Sequence, residues 1–239
     1  MTVTSLVFEL SGPMQSWGVV ESGDRRPTAL RPSKSGVVGL VAASLGRDRD
    51  DSLCDLYSLA FGVRVDDPGV VVTDFHTYRR IDKVAFDTIG EALHGYPLEP
   101  KFAQSSLTRR EYLSDAVFTV ALSGESSLLE EISAALKAPV FTQYLGRRGC
   151  PPEPIRPSVV DNETPAEALA GVPRSLRATS SRTGALLPIY VDEDGVHDGE
   201  RHSVQDVHTL RKGWNREFAS RTVRSAHVDP DSNFRIIGL

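Results

Sequence analysis

The order of the apolar segments along the first 152 residues constrains the fold of this chain more than any other feature of its sequence. Continuous apolar runs are typical of buried strands, whereas apolar residues three and four positions apart are typical of a helix face. The sequence predicts strands at residues 3–10, 61–65, 70–78, 112–122 and 140–145, of which 61–65 is a brief edge strand, and helices that begin near Ser35 and near Ser127. Ser127 and Glu130 predict a capping box at the start of the second of these helices.

The longer segments give the order strand, helix, strand, strand, helix, strand. This βαββαβ order predicts an α+β chain with a ferredoxin-like fold. RNA-recognition domains use the same topology. The predicted domain covers residues 1–152, and residues 153–239 are expected to form a small β-rich appendage after a proline-rich connector. That appendage includes a strand at residues 216–228.

A long insertion, residues 79–111, separates the two middle strands. A hairpin turn needs about two to five residues, so the insertion is too long to be a turn. Its charges are mixed, glycine and proline interrupt it, and its apolar residues are too few for a core of its own. We therefore predict an arm that reaches a partner.

Composition excludes several classes of protein. The 239 residues are 40% hydrophobic and 25% charged, as in an ordinary globular protein, and the sequence contains no apolar run long enough to span a bilayer. We expect a cytoplasmic protein with no membrane partner. Cys54 and Cys150 lie far apart with no ligand-spaced histidine, so we expect neither a metal site nor a disulfide framework, and no cofactor.

The loop between the first strand and the first helix, residues 12–34, is rich in cations although the net charge of the chain is −5. It carries Arg25, Arg26 and Lys34, and it ends beside Ser33 and Ser35, which can cap the helix. A helix N-terminus with cations near it is suited to binding phosphate. The glycines of this region match neither a Walker A loop nor a dinucleotide fingerprint.

Six motifs in order carry a resemblance to a known family. They read GPMQSWG, RPT, PSKSGVVGLVAASLG, REYLSDAVFTVAL, YLGRRGCPP and REFASR. The chain resembles the CasD subunit family of the type I-E CRISPR complex Cascade, within the RAMP superfamily. The resemblance implies a non-catalytic subunit in antiviral defence that caps the 5′ handle of CRISPR RNA.

The resemblance also implies the partners of the chain. Residues 79–111 correspond to a thumb that contacts the backbone subunit CasC, the large subunit CasA is a further partner, and target DNA is reached through the complex. The candidate RNA-binding residues that follow from the resemblance are Met14, Gln15, Ser16, Trp17, Arg25, Arg26, Lys34, Ser35, Arg109, Arg110, Arg147 and Arg148.

Some of these candidates have a second interpretation. Trp17 can stack on an unpaired base or close the core, because tryptophan is buried in most proteins. Arg147 and Arg148 can bind phosphate, for which the guanidinium fork is well shaped, or form a solvated turn.

The alternative function is a metal-independent endoribonuclease that processes precursor CRISPR RNA. Such an enzyme needs a general base and a general acid. His76 and Tyr78, with Arg79 or Lys83, are the candidates, although a half-buried structural role is the simpler expectation for His76 and Tyr78.

Overall fold

The computed structural model describes residues 4–18, 24–81, 103–161, 164–178, 184–192, 200–212, 215–230 and 235–237. Within these residues the chain is α+β, with few helices and mostly antiparallel sheets. The helices are α1 Lys34–Ser44, α2 Cys54–Ser58, α3 Ser126–Lys137 and α4 Pro165–Gly171. The strands are β1 Thr4–Ser11, β2 Met14–Gln15, β3 Trp17–Gly18, β4 Arg25–Arg26, β5 Thr28–Ala29, β6 Ala60–Asp67, β7 Val70–Ile81, β8 Ala103–Ser114, β9 Val117–Gly124, β10 Ser158–Val160, β11 Leu187–Asp192, β12 Glu200–Lys212, β13 Asn215–Asp229 and β14 Arg235–Ile237.

The main sheet has eight strands, in the order β10-β1-β9-β6-β11-β13-β12, with β14 paired to β13. Strands β1 and β9 pair antiparallel along their whole length, from Thr4 opposite Gly124 to Ser11 opposite Val117. Both are central strands covered on two faces, which explains why their apolar residues run almost without interruption.

The two faces of this sheet contribute to different apolar clusters. Leu6 and Phe8 of β1 pack in the larger cluster with residues of α1, α2 and α3. Val7, whose side chain points the opposite way, packs in a smaller cluster with residues of α4. The buried Arg64 fastens α4 to the sheet by donating to the carbonyl oxygens of Leu169 and Val172, each at 2.6 Å.

The strand predicted at residues 140–145 is wrong. The N–H groups of Val140 and Phe141 donate instead to the carbonyl oxygens of Ser44 and Ala43, at 3.0 and 3.1 Å. Carbonyls in the last turn of a helix lack partners within the helix, so this segment satisfies the end of α1. The position beside β1 is taken by β10.

Two other strand predictions need correction. The segment at residues 112–122 is divided between β8 and β9, because the chain turns at Asp115, where φ is 56°. The predicted edge strand at residues 61–65 is part of β6, which has eight residues and lies between β9 and β11.

The predicted capping box at Ser127 is also wrong. The N-cap of α3 is Glu125, and the Ser127 hydroxyl donates to its carboxylate at 2.8 Å. A capping box is present instead at α4, between Thr164 and Glu167.

The main sheet runs across the predicted boundary at residue 152. Strand β10 pairs with β1, and β11 pairs with β6, so strands from the C-terminal third lie on both sides of the N-terminal ones. The strand predicted at residues 216–228 is confirmed as β13.

A second sheet is built on a long pair of strands. Strand β7 pairs antiparallel with β8 from Val70 opposite Ser114 to Ile81 opposite Ala103. The other edge of β8 pairs antiparallel with β2 and parallel with β4. Within the predicted insertion, residues 103–111 belong to β8, and residues 82–102 lie outside the described part of the chain.

Candidate nucleic-acid interface

Strand β4 brings together arginines that are more than eighty residues apart in the sequence. In its parallel pairing with β8, Arg25 lies opposite Arg109 and Arg26 lies opposite Arg110. The connection is fixed by a further bond from the Arg109 N–H to the carbonyl oxygen of Asp24, at 2.8 Å. With two arginines from the turn after residue 145, these residues form what we call the arginine cluster: Arg25, Arg26, Arg109, Arg110, Arg147 and Arg148.

The four strand arginines of the arginine cluster lie on both faces of the second sheet. Paired residues share a face, and successive residues of a strand point to opposite faces. Arg25 and Arg109 therefore lie on one face, and Arg26 and Arg110 lie on the other. On one face, Arg25 forms an ion pair of 2.9 Å with Glu111, and the Arg109 guanidinium lies 5.7 Å from the centre of the Phe75 ring. On the other face, Arg110 donates to the Thr108 hydroxyl at 3.3 Å. A single RNA strand that met all four arginines would have to pass around an edge of this sheet.

Arg147 donates hydrogen bonds to the main chain of β4 and β8, the two strands that carry the four strand arginines of the cluster. Its guanidinium donates to the carbonyl oxygens of Glu111 at 3.0 Å and Arg26 at 2.8 Å, and lies 4.9 Å from the centre of the Tyr112 ring. It therefore joins β4, β8 and its own turn. Arg148, the next residue, is exposed.

The turn that carries these two arginines requires glycine at its start. Gly146 has φ of 81°, and a Cβ there would lie 1.7 Å from the carbonyl oxygen of Ser16. The Ser16 N–H donates to the carbonyl oxygen of Leu145 at 3.0 Å. The first loop and the turn at Arg147 therefore meet, although the segment before the turn is not a strand.

Gln15 and Trp17, two of the candidate RNA contacts, are instead fully buried in the core. The Gln15 amide donates to the carbonyl oxygens of Leu10 and Ala116, at 3.3 and 2.7 Å, and accepts from the Trp17 indole at 3.1 Å. Gly36 leaves room for the indole, since a Cβ there would lie 2.8 Å from it. Of the two interpretations of Trp17, the structure supports core packing.

The other two candidates in the first loop differ in exposure. Ser16 is 2% exposed, and its hydroxyl donates to the carbonyl oxygen of Glu111 at 3.2 Å. Met14 is 41% exposed and remains accessible to a ligand.

The N-terminus of α1, predicted to bind phosphate, is occupied by a carboxylate of the protein. Asp206 of β12 accepts from the Lys34 N–H at 2.7 Å, and Ser33 caps the helix by accepting from Gly36. Lys34 is 6% exposed, and its ammonium forms an ion pair of 3.0 Å with Asp192 of β11. The charge of Lys34 is thus paired within the protein, and the half-buried Ser35 lies beside the N-terminus that Asp206 occupies.

Arg221 of β13 completes this group, which we call the acidic clamp: Asp192, Asp206, Lys34 and Arg221. The Arg221 guanidinium donates to both oxygens of Asp206, at 2.6 and 2.9 Å, and also to Asp192. Burial disfavours the charged guanidinium, but the hydrogen bond and charge of Asp206, with Asp192, outweigh it and raise the pKa of Arg221. The clamp therefore joins the C-terminal strands to α1.

Sequence reasoning missed Asp192 and Asp206 as partners of the first helix. They lie 158 and 172 positions from Lys34, so no local spacing could connect them. It also expected a half-buried structural role for His76 and Tyr78, which is wrong, since both side chains are exposed on β7. Among the described residues, no three histidine, cysteine or acidic side chains are grouped so as to hold a metal ion.

Comparison with known proteins shows which family this chain belongs to. The model of a CRISPR-associated protein family, Cas_Cas5, matches residues 5–224. This chain belongs to that family. The match confirms the resemblance found in the six sequence motifs, and it extends into β13 of the C-terminal third.

One relative by sequence and two solved structures agree with the assignment of this chain to the Cas5 family. The CRISPR system Cascade subunit CasD of Escherichia coli K12 is 39% identical over 157 residues, which cover 61% of this chain and 66%, just under two thirds, of that subunit. A chain of a CRISPR RNA-guided surveillance complex superposes with a TM-score of 0.72 at 32% identity, covering 94% of this chain and 90% of that one. A solved Cas protein gives 0.66 at 35% identity, covering 95% and 96%.

The described helices of this Cas5-family chain include none that is long and apolar enough to cross a membrane.

Proposed function

We propose that this chain is a non-catalytic subunit of a Cascade-type CRISPR surveillance complex, in which it binds and caps the 5′ handle of CRISPR RNA in antiviral defence. Family membership and the relatives named Cascade subunit and surveillance complex support the assembly. The observation that carries the RNA-binding part is the arginine cluster, since three separate segments of the chain converge to form it.

The chemistry of the arginine cluster suits the RNA backbone. Arginine presents a planar fork of donors that matches phosphate oxygens, and it stays charged at any physiological pH. Arg26, Arg109 and Arg148 are exposed, so their guanidinium groups can meet a ligand. Because the chain as a whole carries a net charge of −5, this local concentration of cations would direct RNA to one part of its surface.

We propose a ferredoxin-like core within residues 1–160. The strand order β10-β1-β9-β6, with α1 following β1 and α3 following β9, supports this core. Residues 1–152, the first part of the division made from the sequence, then carry the RNA site, and within residues 153–239 the strands β11, β12 and β13 brace it through the acidic clamp.

We propose that residues 79–111, which begin in β7 and end in β8, are the thumb and that they contact the backbone subunit CasC. The two strands that carry this segment have twelve residues each and expose apolar side chains such as Val70 and Val72, which supports a role in assembly. CasA is the further partner, target DNA is reached through the complex, and the assembly acts in the cytoplasm.

The rival function is a metal-independent endoribonuclease that processes precursor CRISPR RNA. The observation in its favour is that His76 and Tyr78 are both exposed and, two positions apart on β7, share a face. Imidazole can serve as a general base and a phenol as a general acid.

Incubating the purified chain with end-labelled repeat RNA, in the presence of EDTA and without other subunits, distinguishes the two functions. We expect binding and no cleavage, and we expect RNA with a scrambled 5′ segment to bind more weakly. Cleavage that is lost in His76→Ala would establish the endoribonuclease. Equal affinity for intact and scrambled RNA would contradict recognition of the handle.

A further inference from the structure

With Trp17 buried, the aromatic groups that can meet an unpaired base are the exposed ones. Among the residues whose side chains the structure describes, the exposed phenylalanine and tyrosine side chains are Phe75, Tyr78, Phe141 and Tyr144. Phe75 has the largest exposed fraction of these, 60%, and its ring contacts a guanidinium of the arginine cluster.

Phe75 lies in a row that crosses three strands. It is opposite Arg109 in the pairing of β7 with β8, and Arg109 is opposite Arg25 in the pairing of β8 with β4. Paired residues share a face, so Phe75, Arg109 and Arg25 lie on the same side of the sheet, with Arg109 between the other two. The contact of 5.7 Å between Arg109 and the ring agrees with this placement.

A ring beside cations has the two properties that bind an unpaired nucleotide. Proteins that hold single-stranded nucleic acid combine aromatic rings, on which bases stack, with cations that follow the backbone. Here the ring is Phe75, and the cations are Arg109 and Arg25. A scattered exposed phenylalanine is common on protein surfaces. This one differs because its cross-strand partner is a cation of the candidate RNA site.

We propose that Phe75 is a base-stacking residue: its ring receives one unpaired base of the RNA, while Arg109 and Arg25 contact the phosphates beside that base. The assignment rests on the proposed RNA-binding function and adds a residue that sequence reasoning did not select. A contact of Phe75 with a protein partner is the competing explanation, and the experiment separates the two.

The test combines substitutions in the protein with abasic positions in the RNA. Wild type, Phe75→Ala and Phe75→Trp are titrated, as full chains without other subunits, with repeat-derived single-stranded RNAs that each lack one base. We expect Phe75→Ala to bind intact RNA about fivefold or more weakly, and Phe75→Trp to bind it as wild type does. At one position, removal of the base should weaken binding to wild type by the same factor and leave binding to Phe75→Ala unchanged.

Leu107→Ala is the matched control, because Leu107 is 42% exposed on the same face and lies two positions from Arg109 along β8. It should bind every RNA as wild type does. The proposal is overturned if Phe75→Ala binds intact RNA as wild type does, or if its loss is the same for every abasic RNA. Loss of assembly with other subunits without loss of RNA affinity would assign Phe75 to a protein contact.

The Arg109→Ala variant separates this proposal from the function on which it rests. If Arg109→Ala loses RNA affinity and Phe75→Ala does not, the stacking role of Phe75 is wrong and the proposed RNA-binding function stands. If neither variant loses affinity, the RNA site itself lies elsewhere.

Discussion

Arg147 and Arg148 are adjacent residues of one type with different surroundings. Arg147 donates to main-chain carbonyl oxygens of β4 and β8, whereas the side chain of Arg148 is exposed. We expect Arg147→Ala to lower the free energy of unfolding by about 1–2 kcal/mol, because two carbonyl groups lose a charged donor and the site is partly open to solvent. Arg148→Ala should leave stability unchanged and weaken RNA binding. Denaturant unfolding and RNA titration of both variants check this, and equal stability of the two would contradict it.

Gln15 is the polar centre of the core around the first loop. Gln15→Leu removes the partner of the Leu10 and Ala116 carbonyl oxygens and of the Trp17 indole, all buried. We expect the free energy of unfolding to fall by about 2–3 kcal/mol, since buried polar groups without partners are costly. The exposed Met14, replaced by leucine, is the control and should change little. An unaltered unfolding midpoint in Gln15→Leu would show that these bonds add nothing to stability.

The sequence predicts which segments form the candidate site better than it predicts what each side chain in them does. It singled out the GPMQSWG motif and the arginine pair, and the structure brings the two together through Gly146 and Ser16. It could not decide whether Trp17 faces the core or a ligand, because that depends on Gly36, a helix residue that approaches the indole only in the folded chain.

At the scale of elements, the acidic clamp decides what the first helix can bind. A helix N-terminus attracts anions, and here Asp206 supplies the anion from a strand near the C-terminus. Asp206→Asn should lower the free energy of unfolding by about 2 kcal/mol or more, because it leaves the buried Lys34 and Arg221 with Asp192 as the remaining carboxylate of the clamp. Thermal unfolding compared with the exposed Asp161→Asn, expected to behave as wild type, measures the effect.

Two outcomes for Asp206→Asn would contradict this role of the acidic clamp or extend it. If Asp206→Asn is as stable as wild type, the carboxylate does not hold the C-terminal strands to α1. If the variant is destabilised and gains RNA affinity, the helix N-terminus competes for phosphate once the carboxylate charge is removed.

The helices and strands whose apolar residues follow a regular spacing were predicted well, whereas the segments whose structure depends on tertiary contacts were not. β1, β7, β13, α1 and α3 appear close to their predicted positions because their apolar patterns are local. Residues 140–145 have the apolar content of a strand, yet they satisfy the carbonyl groups at the end of α1, a demand set by the tertiary structure. The two-residue strand β4 has no apolar pattern at all, and its pairing with β8 creates the arginine cluster.

At the scale of the whole molecule, one sheet links the two halves of the chain, and the arginine cluster is formed by the second sheet and the turn at Arg147. The family was predictable because its motifs occur in order along the chain, whereas the joining of β11 to β6 depends on pairings of distant segments. A chain with a net charge of −5 can bind RNA only through such a local concentration of cations.

The dependence of RNA affinity on salt tests this claim most directly. Binding of handle-bearing RNA is measured across salt concentrations for wild type, for a variant with glutamine at Arg26, Arg109 and Arg148, and for a control with glutamine at the exposed Arg49, Arg156 and Arg201. The two variants lose the same charge. If each cluster arginine contacts one phosphate, the first variant should bind more weakly, with a slope of log affinity against log salt shallower by about 2, since each lost phosphate contact removes about 0.7. The control should keep the wild-type slope, and equal slopes for all three proteins would contradict RNA binding at the arginine cluster.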